Sequence, residues 1–188
     1  MTLLSEIGRL RTGVTGAKLK AAGLPLLKLS QLERPTLQEP LEPILQGVGP
    51  QALERYRLSP GEVVISLAKR PLRASSVPEG VAVFASENFA VWTPHPQYRE
   101  SSAFVALYLA QHTEAQLEGR TTVVHGTTVV TLSVLSGTHL ALPPLELQGA
   151  LLELSERLHR LEQAQREVQS AQRALFDQIF RSIIQEDL

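Results

Sequence analysis

Residues 143–179 read PPLELQGALLELSERLHRLEQAQREVQSAQRALFDQI, and this stretch divides the chain. Pro143 and Pro144 close what precedes them, because each fixes φ and neither can donate a backbone hydrogen bond. From Leu151 the apolar positions then alternate in steps of three and four: Leu151, Leu154, Leu158, Leu161, Val168, Leu175 and Ile179. Gln165 and Gln172 fill the intervening slots, so the seam continues through a polar middle. This spacing predicts one long helix with a narrow apolar seam of the coiled-coil kind. About 37 residues of it would extend roughly 55 Å at 1.5 Å per residue. The chain thus reads as a globular head, residues 1–145, and a helical arm, residues 146–188.

Working outward, 188 residues allow one ordinary domain and an appendage. With 43% hydrophobic and 20% charged residues, the head can bury a core. The chain has no cysteine, which removes disulfides, thiolate nucleophiles and Cys-based zinc sites together. Glu6, Arg9 and Arg11 interrupt the first apolar stretch, which argues against a signal peptide. No run approaches the roughly 18–20 apolar residues of a membrane span. A cytoplasmic protein without membrane attachment is the expectation. The net charge is −1, but its distribution is uneven: residues 1–75 hold eleven Lys/Arg against six Asp/Glu, and residues 76–188 hold seven against thirteen. All four lysines, Lys18, Lys20, Lys28 and Lys69, lie in the first of these segments. Such asymmetry is compatible with a basic face at one end and an acidic arm at the other.

Within the head, Leu3 to Leu10 carries apolar residues at helical spacing, broken by Thr12-Gly13 and Thr15-Gly16. Residues 24–32, containing PLLKLSQL, read as a short buried strand. Pro35, Pro40, Pro43 and Pro50 punctuate a connecting loop. The turn Ser59-Pro60-Gly61 precedes a β-rich run, Glu62 to Leu67, and then a basic loop, Lys69-Arg70-Pro71-Leu72-Arg73. Val81 to Ala85 and Phe89 to Trp92 read as two more strands. Ser101 to Leu117 returns to helical spacing. Two β-branched clusters, Thr121–Val124 and Thr127–Leu132, flank His125-Gly126. The fold class is α+β, with many short strands and few helices.

Catalytic chemistry is hard to find. There is no glycine-rich phosphate loop, and the five histidines (95, 112, 125, 139, 159) show no metal-ligand spacing. Ser66, Ser133 and Ser136 lie in no nucleophile-elbow context. His125 beside Gly126 reads more simply as a turn histidine than as a ligand or base, since a site needs converging partners. The chain reads as a binding protein and not an enzyme, with no cofactor of its own.

Taken in order, several segments resemble a target-recognition domain of a type I restriction–modification DNA specificity subunit, in a half-size form. Ile7-Gly8-Arg9-Leu10-Arg11-Thr12-Gly13 looks like that family's opening, and Pro25-Leu26-Leu27-Lys28-Leu29-Ser30 like its first strand. Leu58-Ser59-Pro60-Gly61-Glu62-Val63-Val64-Ile65-Ser66 is similar to its L-x-x-G-D-h-h-h-S segment (h, apolar), with Glu62 in place of aspartate. Glu87-Asn88-Phe89-Ala90-Val91-Trp92-Thr93-Pro94 looks like its N-x-x-h-h-x-P strand. Pro143-Pro144-Leu145 and Gln148 match the P-P-L-x-x-Q signature that starts a spacer helix. Family members commonly carry two recognition domains and two spacer helices, whereas this chain has one of each.

The resemblance implies a non-enzymatic module that reads double-stranded DNA. A DNA methyltransferase (modification) subunit would supply the chemistry and bind the S-adenosylmethionine, since this chain has no N/D-P-P-Y/F motif. Phosphate contacts set register and salt-dependent affinity, while base-edge contacts set sequence. Lys69, Arg70 and Arg73 suit such contacts, because a strand end fixes the loop, Pro71 stiffens it, and arginine can reach a guanine edge with two hydrogen bonds. The plainer alternative is a solubilising surface loop. Lys18 and Lys20 are further candidates, for phosphate. Thr127 and Thr128 sit where the resemblance suggests a DNA-facing edge, although ordinary strand threonines explain them equally well. The arm admits three readings: pairing with a second copy, docking on a partner such as the methyltransferase, or folding back on the head. A homodimer paired through the seam residues would present two heads to a bipartite inverted repeat, one half-site each. The alternative function is a protein-interaction scaffold that keeps this fold without reading DNA.

Overall fold

The structure is a computed structural model and describes residues 1–15, 27, 29–37, 56–68, 71–81, 83–124 and 126–186. It divides into two compact units, 1–152 and 153–188. The first unit is built on a four-stranded antiparallel sheet of order β2-β5-β3-β4. Here β1 is Thr2–Leu3, β2 Gly8–Thr12, β3 Val63–Ser66, β4 Ala74–Ser76 and β5 Phe89–Pro94. Helix α1 is the single turn Leu4–Ile7 between β1 and β2.

All four residues of β3 are buried, because the sheet is covered on both faces. Side chains alternate across a strand, so Val63 and Ile65 of β3 join Ala90 and Trp92 of β5 on one side. With them pack Leu4, Ile7, Val105, Leu109, Leu135 and Leu140. Val64, Phe89 and Val91 face a second cluster with Leu27, Leu32, Leu37, Leu58, Val77 and Val83. A strand that feeds two cores shows an unbroken apolar run, as Val63-Val64-Ile65 does. Helix α2, Ser102–His112, covers the first face, preceded by a 3-10 segment Pro96–Ser101 and followed by α3, Glu114–Leu117. A hairpin of β6 (Thr122–Val124) and β7 (Thr127–Val129), helix α4 (Leu132–Ser136) and β8 (His139–Leu140) complete the unit. Strand β8 pairs with β1 and ties the two ends of the head together.

Three local expectations are corrected. The helical spacing of Leu3–Leu10 yields only one turn of helix, and Gly8–Thr12 is strand paired along β5. Gly8 sits against the ring of Trp92, where a Cβ would lie 2.3 Å from Nε1, and that indole N–H donates to the Leu4 carbonyl at 3.2 Å. Residues 29–32 form a 3-10 turn and not strand. Val83 to Ala85 are buried but form no ladder; an isolated bridge at Phe84 meets Arg57. The proline-punctuated stretch 38–55 lies outside the described residues.

Helix α5 runs Leu145–Glu186, 42 residues or about 63 Å. Its start explains the P-P-L-x-x-Q pattern. The Pro144 carbonyl accepts from the backbone N–H groups of Leu147 and Gln148, both at 3.0 Å. The buried Gln148 side chain reaches back and donates to the Pro143 carbonyl at 2.8 Å. A glutamine at this spacing satisfies a carbonyl just outside the helix, which a shorter polar chain would miss. The mixed helix–strand head followed by a long C-terminal helix is the architecture read from the sequence.

Candidate nucleic-acid interface and helical arm

The turn Ser59–Glu62 is anchored at several points. Gly61 has φ +82°, which its lack of a Cβ permits, and its carbonyl accepts from Ser102 Oγ at 2.6 Å. Arg99 Nη2 donates to the Pro60 carbonyl at 3.0 Å. Glu62 itself is buried. Its carboxylate accepts from Arg11 Nη2 at 3.1 and 3.2 Å, from Thr93 Oγ1 at 2.6 Å and from the Ser59 backbone N–H at 2.8 Å. One side chain thus links β2, β5 and the turn before β3. By motif alone the position registers only as a departure from aspartate.

Of the basic candidates, Lys18, Lys20, Lys69 and Arg70 lie outside the described residues. Arg73 is described and turned inward: its Nη1 donates to Glu33 at 3.3 Å and to the Leu29 carbonyl at 3.4 Å. The guanidinium therefore clips the strand that follows the basic loop to the 29–32 turn. Thr127 and Thr128 lie on β7, across from Val124 and Val123 of β6. Val123 is 68% exposed and Val124 44%, so the hairpin presents methyl groups beside the threonine hydroxyls. Sequence reasoning selects the threonines and passes over these valines, since β-branched residues ordinarily signal burial in a strand. No group of three or more His, Asp or Glu able to hold a metal occurs among the described residues.

Along α5, Leu151, Leu154, Leu158, Leu161, Val168, Leu175 and Ile179 are all exposed, between 37% and 67%. Three arginines of this helix pair within it: Arg157 lies 2.5 Å from Glu153, Arg160 3.9 Å from Glu156 and Arg166 3.9 Å from Glu162. Each pair has glutamate four residues N-terminal to arginine, the favourable order against the helix dipole. Phe176 and Phe180, one step off the seam, stack with centroids 6.2 Å apart and are exposed. The heptad pattern misses them. Their signal is their own i, i+4 spacing. No described helix is long and apolar enough to cross a membrane.

No family model matches the chain. No curated protein matches it either. Solved structures do. One is a chain from a study of complex assembly and conformational transition of the type I R-M system, with TM-score 0.61 and 20% identity over 93% of this chain and 42% of that one. Another is the HsdS subunit from Thermoanaerobacter tengcongensis, with TM-score 0.54 and 19% identity over 87% of this chain and 37% of that one. The chain spans about two-fifths of the length of the solved chains it matches. Its fold, head and long helix together, is that of the type I restriction–modification specificity subunit.

Proposed function

We propose that this chain is a sequence-specific DNA-binding specificity module of a restriction–modification complex, reading one half-site per subunit. The observation that carries the reading is the fold match over nearly all of the chain, head and spacer-like helix included. The chain contributes recognition and spacing; a methyltransferase subunit, acting in the cytoplasm, contributes chemistry and S-adenosylmethionine. Lys69, Arg70, Arg73, Lys18, Lys20, Thr127 and Thr128 are the proposed DNA contacts, and the exposed methyl groups of Val123 and Val124 add surface suited to thymine methyls. The exposed seam of α5 pairs two copies antiparallel, which brings two heads and two helices together.

Selection of bound duplexes from a random-sequence library by the purified chain tests this. The expected product is a two-part inverted repeat, with affinity that falls steeply as salt rises. Recovery of no consensus overturns the reading in favour of a second one, a protein-interaction scaffold of the same fold. Two observations favour that alternative: the net charge is −1, and Arg11 and Arg73 are engaged in internal ion pairs.

A further inference from the structure

The apolar face of α5 changes character along its length. Between Leu151 and Leu161 it is a single seam, and its flanks carry charge, as at Arg157 and Glu162. From Ala164 to Phe180 the positions beside the seam are Ala164, Gln169, Ala171, Phe176 and Gln178, all uncharged. There the face widens to Leu175, Phe176, Ile179 and Phe180, each at least half exposed and two of them a stacked aromatic pair. A two-helix seam alone leaves Phe176 and Phe180 partly in water, so their burial needs a further surface.

We propose that this aromatic pair seats on a second copy of the chain, at the junction where the partner's helix leaves its head. This rests on the self-pairing reading above and adds the register and the contact. Laid antiparallel, the seam matches its own reverse when Leu154 meets the partner's Ile179 and Leu158 meets the partner's Leu175. In that register Gln165 meets Val168 and Gln172 meets Leu161, so no glutamine opposes a glutamine. Ala164 then faces the partner's Ala171, two small side chains that let the helices approach at the centre.

Phe176 follows Leu175 in the heptad as Ser155 follows Leu154. In the antiparallel pair these flank positions face one another, so the large ring of Phe176 lies over the small Ser155 of the partner. Phe180, one turn further on, reaches the level of the partner's Leu151 and Leu152. Gln148, Leu152 and Ser155 make that flank uncharged, and the buried Gln148 and half-buried Leu152 belong to the compact head unit. The ion pairs begin on the other side, at Glu153 and Arg157. A parallel pair would instead stack Gln165 on Gln165 and Gln172 on Gln172 and leave Phe180 uncovered. In the antiparallel register the large ring meets the small Ser155, and the contact ties the end of each helix to the base of the other head.

The test uses the whole chain. Sedimentation equilibrium of the unaltered protein and of F176A/F180A gives the self-association constant of each. Because both rings are exposed in the single chain, the substitution removes no core packing. The expected result is a dimer weakened on the order of a hundredfold, as loss of an aromatic hot-spot cluster does, with the head's thermal transition unchanged. The chain has no cysteine, so E162C on one copy and Q169C on another report the register directly. Oxidation of the mixture should link them, and neither variant alone should link to itself. A dimer whose constant moves less than about threefold in F176A/F180A, against that hundredfold, overturns the aromatic seat while self-pairing stands. A dimer without the 162–169 link overturns the register. Unaltered protein that stays monomeric at tens of micromolar overturns self-pairing itself, and the seat with it.

Discussion

Leu109 in the head is fully buried, whereas Leu161 in the arm is 67% exposed, and the cores of the one and the seam of the other differ in the same way. The head completes its contacts internally: its sheet has a core on each face, and its buried carboxylate has four donated hydrogen bonds. The arm completes only what a lone helix can, its backbone ladder and its i, i+4 ion pairs. Exposed pairs of that kind contribute about 0.3–0.5 kcal/mol each. Burying a leucine contributes roughly 1.5–3 kcal/mol, so the seam holds far more free energy in reserve than the charges supply. One region buries its apolar residues in cores of its own; the other leaves an apolar seam in water.

The largest expected effect breaks the comparison at the arm. Replacing Leu158 and Leu161 with Glu puts four carboxylates into the seam of a pair. Light scattering should find only monomer, binding a single half-site weakly, while the head's melting temperature is unchanged. A fall in the head's melting temperature would mean that the arm is part of the domain and that the distinction between the regions is false.

Next in size is a cut inside the head. Glu62→Ala removes the acceptor shared by Arg11, Thr93 and the Ser59 backbone, leaving a buried donor set unmatched. Breaking a buried ion pair costs roughly 3–5 kcal/mol; Arg11, being 30% exposed, can recover some hydration, so about 2–4 kcal/mol is expected by urea denaturation. Self-association should not change. A loss below about 1 kcal/mol would place Glu62 among ordinary surface pairs.

How far the sequence reveals each region follows from the same contrast. The arm is legible because one rule, the alternation of three and four, governs it without help from neighbours. Strand β5 is legible too, since Phe89-Ala90-Val91-Trp92 is apolar on both faces and ends at Pro94. Strand β2 is not. Leu3, Leu4, Ile7 and Leu10 fit a helix, and only the approach of Trp92 to Gly8, from a segment more than 80 residues away, selects the strand. A short apolar run does not distinguish the two periods by itself. Helix α4 hides behind β-branched Val129 and Val130, although its N-cap is in view: Thr131 Oγ1 accepts from the Val134 N–H at 3.4 Å. For the site, composition is enough to find the basic loop. What composition does not contain is that Arg73 turns inward to Glu33, because that depends on a 3-10 turn forty residues earlier.

That inward turn sets the smallest of these effects and sharpens the comparison at the proposed DNA surface of the head. If the Lys69–Arg73 loop is the recognition surface, Arg70→Ala should weaken specific binding by about 1–3 kcal/mol for a lost base contact. Arg73 has a competing role. Its pair with Glu33 is partly exposed on both sides, so Arg73→Ala should cost the fold no more than about 1 kcal/mol. Should Arg73 leave Glu33 for a base edge on docking, its loss weakens binding by less than the loss of Arg70, because the internal contact given up offsets part of the gain. Glu33→Gln then separates the roles: it should slightly destabilise the head and slightly tighten DNA binding, by freeing the guanidinium. Measured by titration against the selected duplex at fixed salt, unchanged affinity in the folded Arg70, Arg73 double variant removes the loop from the interface. A loss that is equal for all sequences reassigns both arginines to phosphates, with the salt slope falling by about one for each contact removed.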